Sequence, residues 1–451
     1  MDSRMMLAAT WAGPLAKLQA ALPDDAVSGH FSGTLARGSY GGSEHYLNQT
    51  GEEFQQRRQQ REGRYAAMDL LRELSEFAPP APVGVTIDVA RLAPPKVVLY
   101  ELPGADVVST GHGTPIASVT LRAGALPEPY RRLPEPHQRP WDAGMNPDWL
   151  AGVVHRALPE ATGLTDQELR AWEQRSRCLL PPDVHALYRT AASGTLMLGP
   201  SDLPDPEDEE AGFVMRILPL GQPDPYWSPA ARFGGWEFGA TEALGEDPAG
   251  RVQPLAFSPA WVPIGDDGGG NYFVVDLAPG PQGTIGQILF VDHETNAGAS
   301  WLAPSLTAFV ANRPDSYARP PAAGGRKVRI GNHTTETLAN VTAETEVLIV
   351  NRVAEPVDLR SLAGHPRLRT LEINPGPVTG LEVVGQLPAL EYLATDLAGW
   401  RQLLDQNLVP QRLLAAGFKE MAAEWPANVA VANQLLAHWG RPQIAEHVVV
   451  S

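Results

Sequence analysis

Trp261-Val-Pro-Ile-Gly-Asp-Asp-Gly-Gly-Gly-Asn-Tyr-Phe-Val-Val-Asp-Leu277 decides the fold of the central third of this chain. An apolar run led by Trp261 meets two carboxylates and three glycines, and the chain turns where glycine adopts positive φ without steric cost. Tyr272 to Leu277 is then β-branched and aromatic, which is strand composition. After the turn-rich Ala278-Pro-Gly-Pro-Gln-Gly283 a second strand follows, Gln287-Ile-Leu-Phe-Val291. The pair reads as a hairpin with an acidic, glycine-rich mouth.

Working upstream, Thr165-Asp-Gln-Glu168 is a capping box that starts a helix carrying Leu169 and Trp172. Pro181-Pro182 interrupts, and Asp183 to Ala192 forms a second helix ending at Ser193-Gly194. Phe213 to Leu218 reads as a strand, and Trp236-Glu-Phe238 lies in or near another. Downstream, Trp301 to Val310 reads as a closing helix with Leu302, Leu306 and Phe309 inward.

The flanks differ in character, and the whole is expected to be a multidomain α+β protein. Residues 1–125 form a small α+β unit of unknown role, with helices over Trp11 to Leu22 and Glu52 to Phe77. Its strands fall at Val83 to Val89, Lys96 to Glu101 and Pro115 to Leu121. Residues 126–164 make a linker with six prolines between 126 and 148, then a short helix near Pro147 to Leu158. The central domain spans 165–312, and 313–325 is a second linker. In residues 326–451, Leu359, Leu362, Leu368, Leu371 and Ile373 recur 22 positions later as Leu381, Val384, Leu390, Leu393 and Thr395. That spacing suits short parallel strands with helical returns and resembles a leucine-rich repeat, with a helical segment, Trp400 to Glu424, as cap.

Charge is concentrated rather than spread. Of a net charge of −17, residues 160–312 hold −14 (21 acids, 7 bases). Six acids fall within the nine residues Asp202 to Glu210. Such a field repels nucleic acid and favours a basic partner. The single cysteine, Cys178, excludes a disulfide framework. No window approaches the roughly 18 apolar residues of a membrane-spanning helix, and the first residues lack a signal-peptide pattern. The expected location is cytoplasmic.

The order of features over 165–312 resembles the SUKH superfamily of the Smi/Knr type. The residues that carry it are Glu173, Leu180-Pro-Pro-Asp183, Ser193-Gly194, Trp261-Val-Pro-Ile264, Asp266-Asp-Gly-Gly-Gly270, Asp276-Leu277 and Gly286-Gln-Ile-Leu-Phe-Val-Asp-His293. The resemblance implies a helix pair followed by a twisted antiparallel sheet, and binding rather than catalysis. Bacterial members look like immunity proteins that neutralise a toxin, often a nuclease; eukaryotic relatives resemble scaffolds for signalling and cell-wall control. The flanking segments lie outside the resemblance.

No catalytic motif competes with that implication: there is no nucleophile elbow, phosphate loop or His-Glu-x-x-His helix. His112 has no sequence partner that marks it as a base, and Cys178 sits beside Leu179 and Leu180 as an inert thiol would. Asp266 to Asn271 offers oxygen ligands but lacks the alternating acids and distal Glu of a calcium loop, so it reads as a tight turn. Asp292-His-Glu294 cannot share one ion from a strand, where neighbours face opposite ways. No metal or cofactor is expected. The expected function is a non-enzymatic immunity-type neutraliser of a basic toxin in a bacterial toxin–antitoxin pair; the alternative is an intracellular scaffold or regulatory adaptor using the leucine-rich tail. The expected partner-binding residues are Asp202, Asp205, Glu207, Asp208, Glu209, Glu210, Tyr226, Trp227, Asp266 and Asp267.

Overall fold

The computed structural model describes the chain apart from residues 1–4, 7, 21, 23–25, 38, 48–68, 70–71, 77, 80–82, 103–106, 109–115, 137–139, 199–212, 221–235, 296, 313–323, 420–424 and 451. Two compact units emerge, and they do not follow the chain linearly. One gathers residues 1–127, 234–241 and 327–451; the other holds 128–233 and 242–326.

The first unit opens with helix α1 (Ala8–Ala20). Trp11, Leu15 and Leu18 recur at helical spacing and are buried against Phe31, Leu35, Val85, Ile87, Val97 and Leu99. Those partners lie on β1 (Ser28–Ala36), β3 (Val83–Ala90) and β4 (Lys96–Glu101), with β2 (Ser39–Leu47) completing a hairpin with β1. Glycines and serines dilute the alternation in 28–47, which is why periodicity alone does not mark this hairpin. Two short strands follow, β5 (Val107–Val108) and β6 (Ser118–Thr120). Most of the helix expected over Glu52 to Phe77 lies outside the described residues; Arg72 to Ser75 are helical.

The second unit carries helices α2 (Pro147–Ala157), α3 (Asp166–Ser176) and α4 (Pro182–Thr190), then β7 (Gly194–Leu198) and β8 (Phe213–Ile217). The expected capping box is present: the Thr165 hydroxyl accepts from the Glu168 amide, and the Glu168 carboxylate accepts from the Thr165 amide at 2.8 Å. The chain then gives a short helix, α5 (Trp236–Ala240), to the first unit, where a strand was expected. Back in the second unit come β9 (Trp261–Asp266), β10 (Tyr272–Asp276), β11 (Gln287–Val291), β12 (Ser300–Ala303) and α6 (Leu306–Asn312).

Strands β7 to β12 form one antiparallel meander in sequence order, with Tyr272 opposite Val291 and Asp276 opposite Gln287. Every residue of β10 and β11 is buried. Phe273, Val275, Ile288 and Phe290 pack with Trp172, Leu187 and Phe309, while Tyr272, Val274, Leu289 and Val291 join a second core with Trp261 and Leu255. A sheet covered on both faces reads as a continuous apolar run, as here. The closing helix begins later than expected: Pro304 ends β12, Trp301 pairs with Leu289, and helix starts at Leu306.

The last segment returns to the first unit as β13 (Lys327–Gly331), β14 (Val347–Asn351), β15 (Val357–Asp358), β16 (Thr370–Ile373), β17 (Val378–Thr379), β18 (Tyr392–Thr395), helix α7 (Leu397–Asp405), β19 (Ala415–Phe418), helix α8 (Trp425–His438) and β20 (Ala445–Val450). Strands β13, β14, β16, β18 and β19 are parallel neighbours, with Val347, Thr370, Tyr392 and Ala415 in register. The repeat leucines build one core: Leu348, Leu371 and Leu393 meet Leu359, Leu381 and Trp400. The expected cap over Trp400 to Glu424 is not one helix. It stops at Asp405, Asn407 adopts φ 54°, and Ala415-Ala-Gly-Phe418 adds a further parallel strand. The sheet then continues through β6, antiparallel to β19, to β5, while β20 pairs antiparallel with β4. The segments expected as separate domains, 1–125 and 326–451, therefore share both sheets.

Because β20 covers the β4 edge and Val449 is buried with α1 in the same core, Val449→Asp should cost about 2–4 kcal/mol. Hydrogen exchange should show faster amide exchange in Lys96–Glu101 and unchanged protection in Gln287–Val291.

Candidate functional site

The glycine-rich mouth is built by its own carboxylates. Asp266 is buried; its Oδ2 accepts from Arg216 Nε at 2.9 Å and its Oδ1 from the Gly268 amide at 2.8 Å. Asp267 Oδ1 accepts from the amides of Gly269 and Asn271 at 2.8 and 3.2 Å, and its Oδ2 accepts from Asn271 Nδ2 at 2.6 Å. Asn271 Oδ1 in turn accepts from the His293 amide at 2.9 Å. Gly268 and Gly270 take φ of 80° and 101°, so the turn needs glycine at both. Among the described residues, no group of three His, Cys, Asp or Glu is placed to hold a metal.

Two more carboxylates of this unit lie wholly inside it. Asp183, at the start of α4, accepts from the Thr307 amide at 2.9 Å and its hydroxyl at 3.1 Å, tying α4 to α6. Asp276, at the end of β10, accepts from Gln287 Nε2 at 2.8 Å and from the Ala278 amide at 3.0 Å. Burial pushes the Asp276 carboxyl up to about 6, against the hydrogen bonds from Gln287, Ala278 and Trp261 that favour its ionised form. Cys178 is half-buried, and burial raises its thiol, so the thiolate is disfavoured.

The first unit holds a charged cluster that sequence reasoning missed. Thr370, Glu372, Tyr392 and Ala415 lie on the face of the parallel strands opposite the leucine core, and α5 lies among them. Trp236 packs on Tyr392 with ring centroids 5.8 Å apart, and its indole N–H donates to the Ala125 carbonyl at 2.6 Å. Lys419 pairs with Glu237 of α5 and, at 3.2 Å, with Glu372 of β16. Burial pulls Lys419 down, but the two carboxylates outweigh it and hold the ammonium above its ordinary value. Arg369 pairs with Glu346 at 3.3 Å, and its Nη1 donates to the Ala240 carbonyl at 2.9 Å; Thr370 Oγ1 donates to the same carbonyl at 2.7 Å. The available signal was Glu372 at an alternate position inside Leu-Glu-Ile373, where an exposed strand face or a buried pair is required.

Of the residues expected to bind a partner, Asp202, Asp205, Glu207, Asp208, Glu209, Glu210, Tyr226 and Trp227 lie outside the described residues. Asp266 and Asp267 sit together at the β9–β10 turn as described. Residues 163–312, which comprise the helix pair and the meander, match the SMI1 / KNR4 family (SUKH-1). This stretch is a SUKH-1 domain. Among curated proteins, the chain is 50% identical over 42 residues to the cell wall assembly regulator SMI1 of Saccharomyces cerevisiae, which is 9% of this chain and 8% of that protein. It is 43% identical over 58 residues to the glucan synthesis regulatory protein of Neurospora crassa (12% and 11%). To the cell wall biosynthesis/cell cycle regulator smi1 of Schizosaccharomyces pombe it is 28% identical over 134 residues (28% and 26%). The chain thus spans about a quarter or less of the length of these relatives. They are fungal and named as regulators, which overturns the expectation of a bacterial immunity protein from a toxin–antitoxin pair, and with it the toxin as partner. The parallel strands of the first unit lie outside the SUKH-1 match. Among the described residues, no helix is long and apolar enough to cross a membrane.

The raised carboxyl of Asp276 sets a pH dependence. A folded-state value above the ordinary 3.8 means that its contribution is complete at low pH and is lost as pH rises through about 6. The loss amounts to about 3 kcal/mol. In urea titrations at pH 4 to 7, the stability advantage of the wild type over Asp276→Asn should shrink by that order as pH rises; a constant difference would refute the assignment.

Proposed function

We propose that this chain is a non-enzymatic regulatory adaptor that acts through protein–protein contacts, with the SUKH-1 domain as a contact module. The observation that carries this reading is the SUKH-1 match at residues 163–312, shared with proteins named as regulators and not as enzymes. The chemistry of the described residues agrees with it. Asp183, Asp266 and Asp267 hold turns and helix ends in place through short hydrogen bonds to backbone amides. A carboxylate so engaged serves the fold instead of a substrate.

On this reading the partner contact falls on the acidic stretch Asp202, Asp205, Glu207, Asp208, Glu209 and Glu210, with Tyr226 and Trp227 as aromatic anchors. The charge of −14 over residues 160–312 supports a partner with a basic surface, because clustered carboxylates steer such a partner and set its salt sensitivity. Tyr and Trp bring large contact area with few rotatable bonds.

The experiment changes the six acids of 202–210 to Asn and Gln in the full-length chain. Association with a host protein recovered with the wild type is then measured at low and high salt. The expected outcome is about a tenfold or greater loss at low salt, mostly in association rate, with the salt dependence largely removed. Unchanged affinity and salt dependence would exclude this surface.

A further inference from the structure

Helix α5 is a ligand in all but covalent connection. Its five residues are too few to hold a helix in water, so the conformation of Trp236–Ala240 is imposed by what it lies on. It lies on the face of β16, β18 and β19 opposite the leucine core, where Trp236 and Ala240 join Tyr392, Ala394 and Ala415 in an apolar cluster, through four distinct contacts. Trp236 packs on Tyr392 with tilted rings, Glu237 meets Lys419, and the terminal Ala240 carbonyl takes donors from Arg369 and Thr370. The last contact satisfies a carbonyl that any helix end leaves without an intrahelical partner.

The face does not depend on α5 for its own charges. Without Glu237, Lys419 keeps Glu372 at 3.2 Å, and without the Ala240 carbonyl, Arg369 keeps Glu346 at 3.3 Å. Both cations therefore retain an anion from the sheet itself, and the site is preorganised for one more carboxylate and one helix-end carbonyl. Occupancy by α5 is also incomplete: among the described residues, the buried Tyr392 hydroxyl has no hydrogen-bond partner. It sits over Gly417, where an added Cβ would come within 2.3 Å of it, so the chain keeps this space open with glycine. A buried hydroxyl left unpaired weakens the complex that buries it.

We propose that the β16–β18–β19 face is an acceptor site for a short aromatic–acidic helical peptide, that α5 occupies it as a built-in competitor, and that a protein partner displaces α5 with a segment of the same Trp-Glu chemistry. Its regulatory use rests on the adaptor reading; the acceptor chemistry does not, and its test does not involve the 202–210 acids. A tethered segment competes at a local concentration in the millimolar range, so a free peptide reaches the wild-type site only weakly. Vacating the site removes that competition.

The test uses the full-length chain and a fluorescent peptide of residues 231–243. The double variant Trp236→Ala/Glu237→Lys is expected to bind this peptide at least about tenfold more tightly than wild type. Glu237→Gln, which keeps the shape of α5, should fall between them and preserves the test if the double variant fails to fold. Adding Lys419→Glu to the Glu237→Gln variant should abolish binding, and a peptide carrying Lys in place of Glu237 should restore it. Equal binding by wild type, Glu237→Gln and the double variant, absence of binding to all three, or failure of the charge exchange would each overturn the proposal.

Discussion

An open strand edge is a row of unpaired backbone donors and acceptors, and the first unit depends on which distant strands pair with the edges of β19 and β4. The parallel strands β13 to β19 would end in such an edge at Ala415–Phe418. Strand β6, brought from almost 300 residues earlier, pairs antiparallel with it. In exchange, β20 covers the open edge of β4. Main-chain hydrogen bonding thereby ties the first and last quarters of the chain into one body, with the SUKH-1 domain inserted between them.

Inside the SUKH-1 domain the governing fact is burial on both faces. Strands β10 and β11 have one face on the helices and the other on a second apolar core. The acidic mouth at their end is consumed by its own turn, with Asp267 closing on Asn271 and Asp266 on Gly268.

Much of this was legible in sequence where a local rule suffices. The capping box at Thr165, the helix breaks at Pro181 and the turn at Gly268–Gly270 depend on a few neighbouring residues and took the expected form. The 22-residue recurrence gave the parallel strands because each copy repeats one pattern. Local rules failed where tertiary partners outweigh propensity. Trp236-Glu-Phe238 has strand composition yet is helical, because Arg369 and Thr370 donate to its terminal carbonyl and Tyr392 packs against its indole ring. Ala415-Ala-Gly-Phe418 has poor strand composition yet pairs on both sides.

By itself, then, the sequence determined the SUKH-1 domain, its helix pair, its hairpin and the periodic strands beyond it, since each follows from residue spacing and turn chemistry. Only the tertiary structure decided which distant strands share a sheet and which charges share a site. Lys419, Glu237 and Glu372 are separated by up to 182 residues in the chain, and no spacing rule links them. They meet because a parallel sheet aligns alternate residues of successive strands on one face, and because a short helix from the middle of the chain finds its hydrogen-bond partners there.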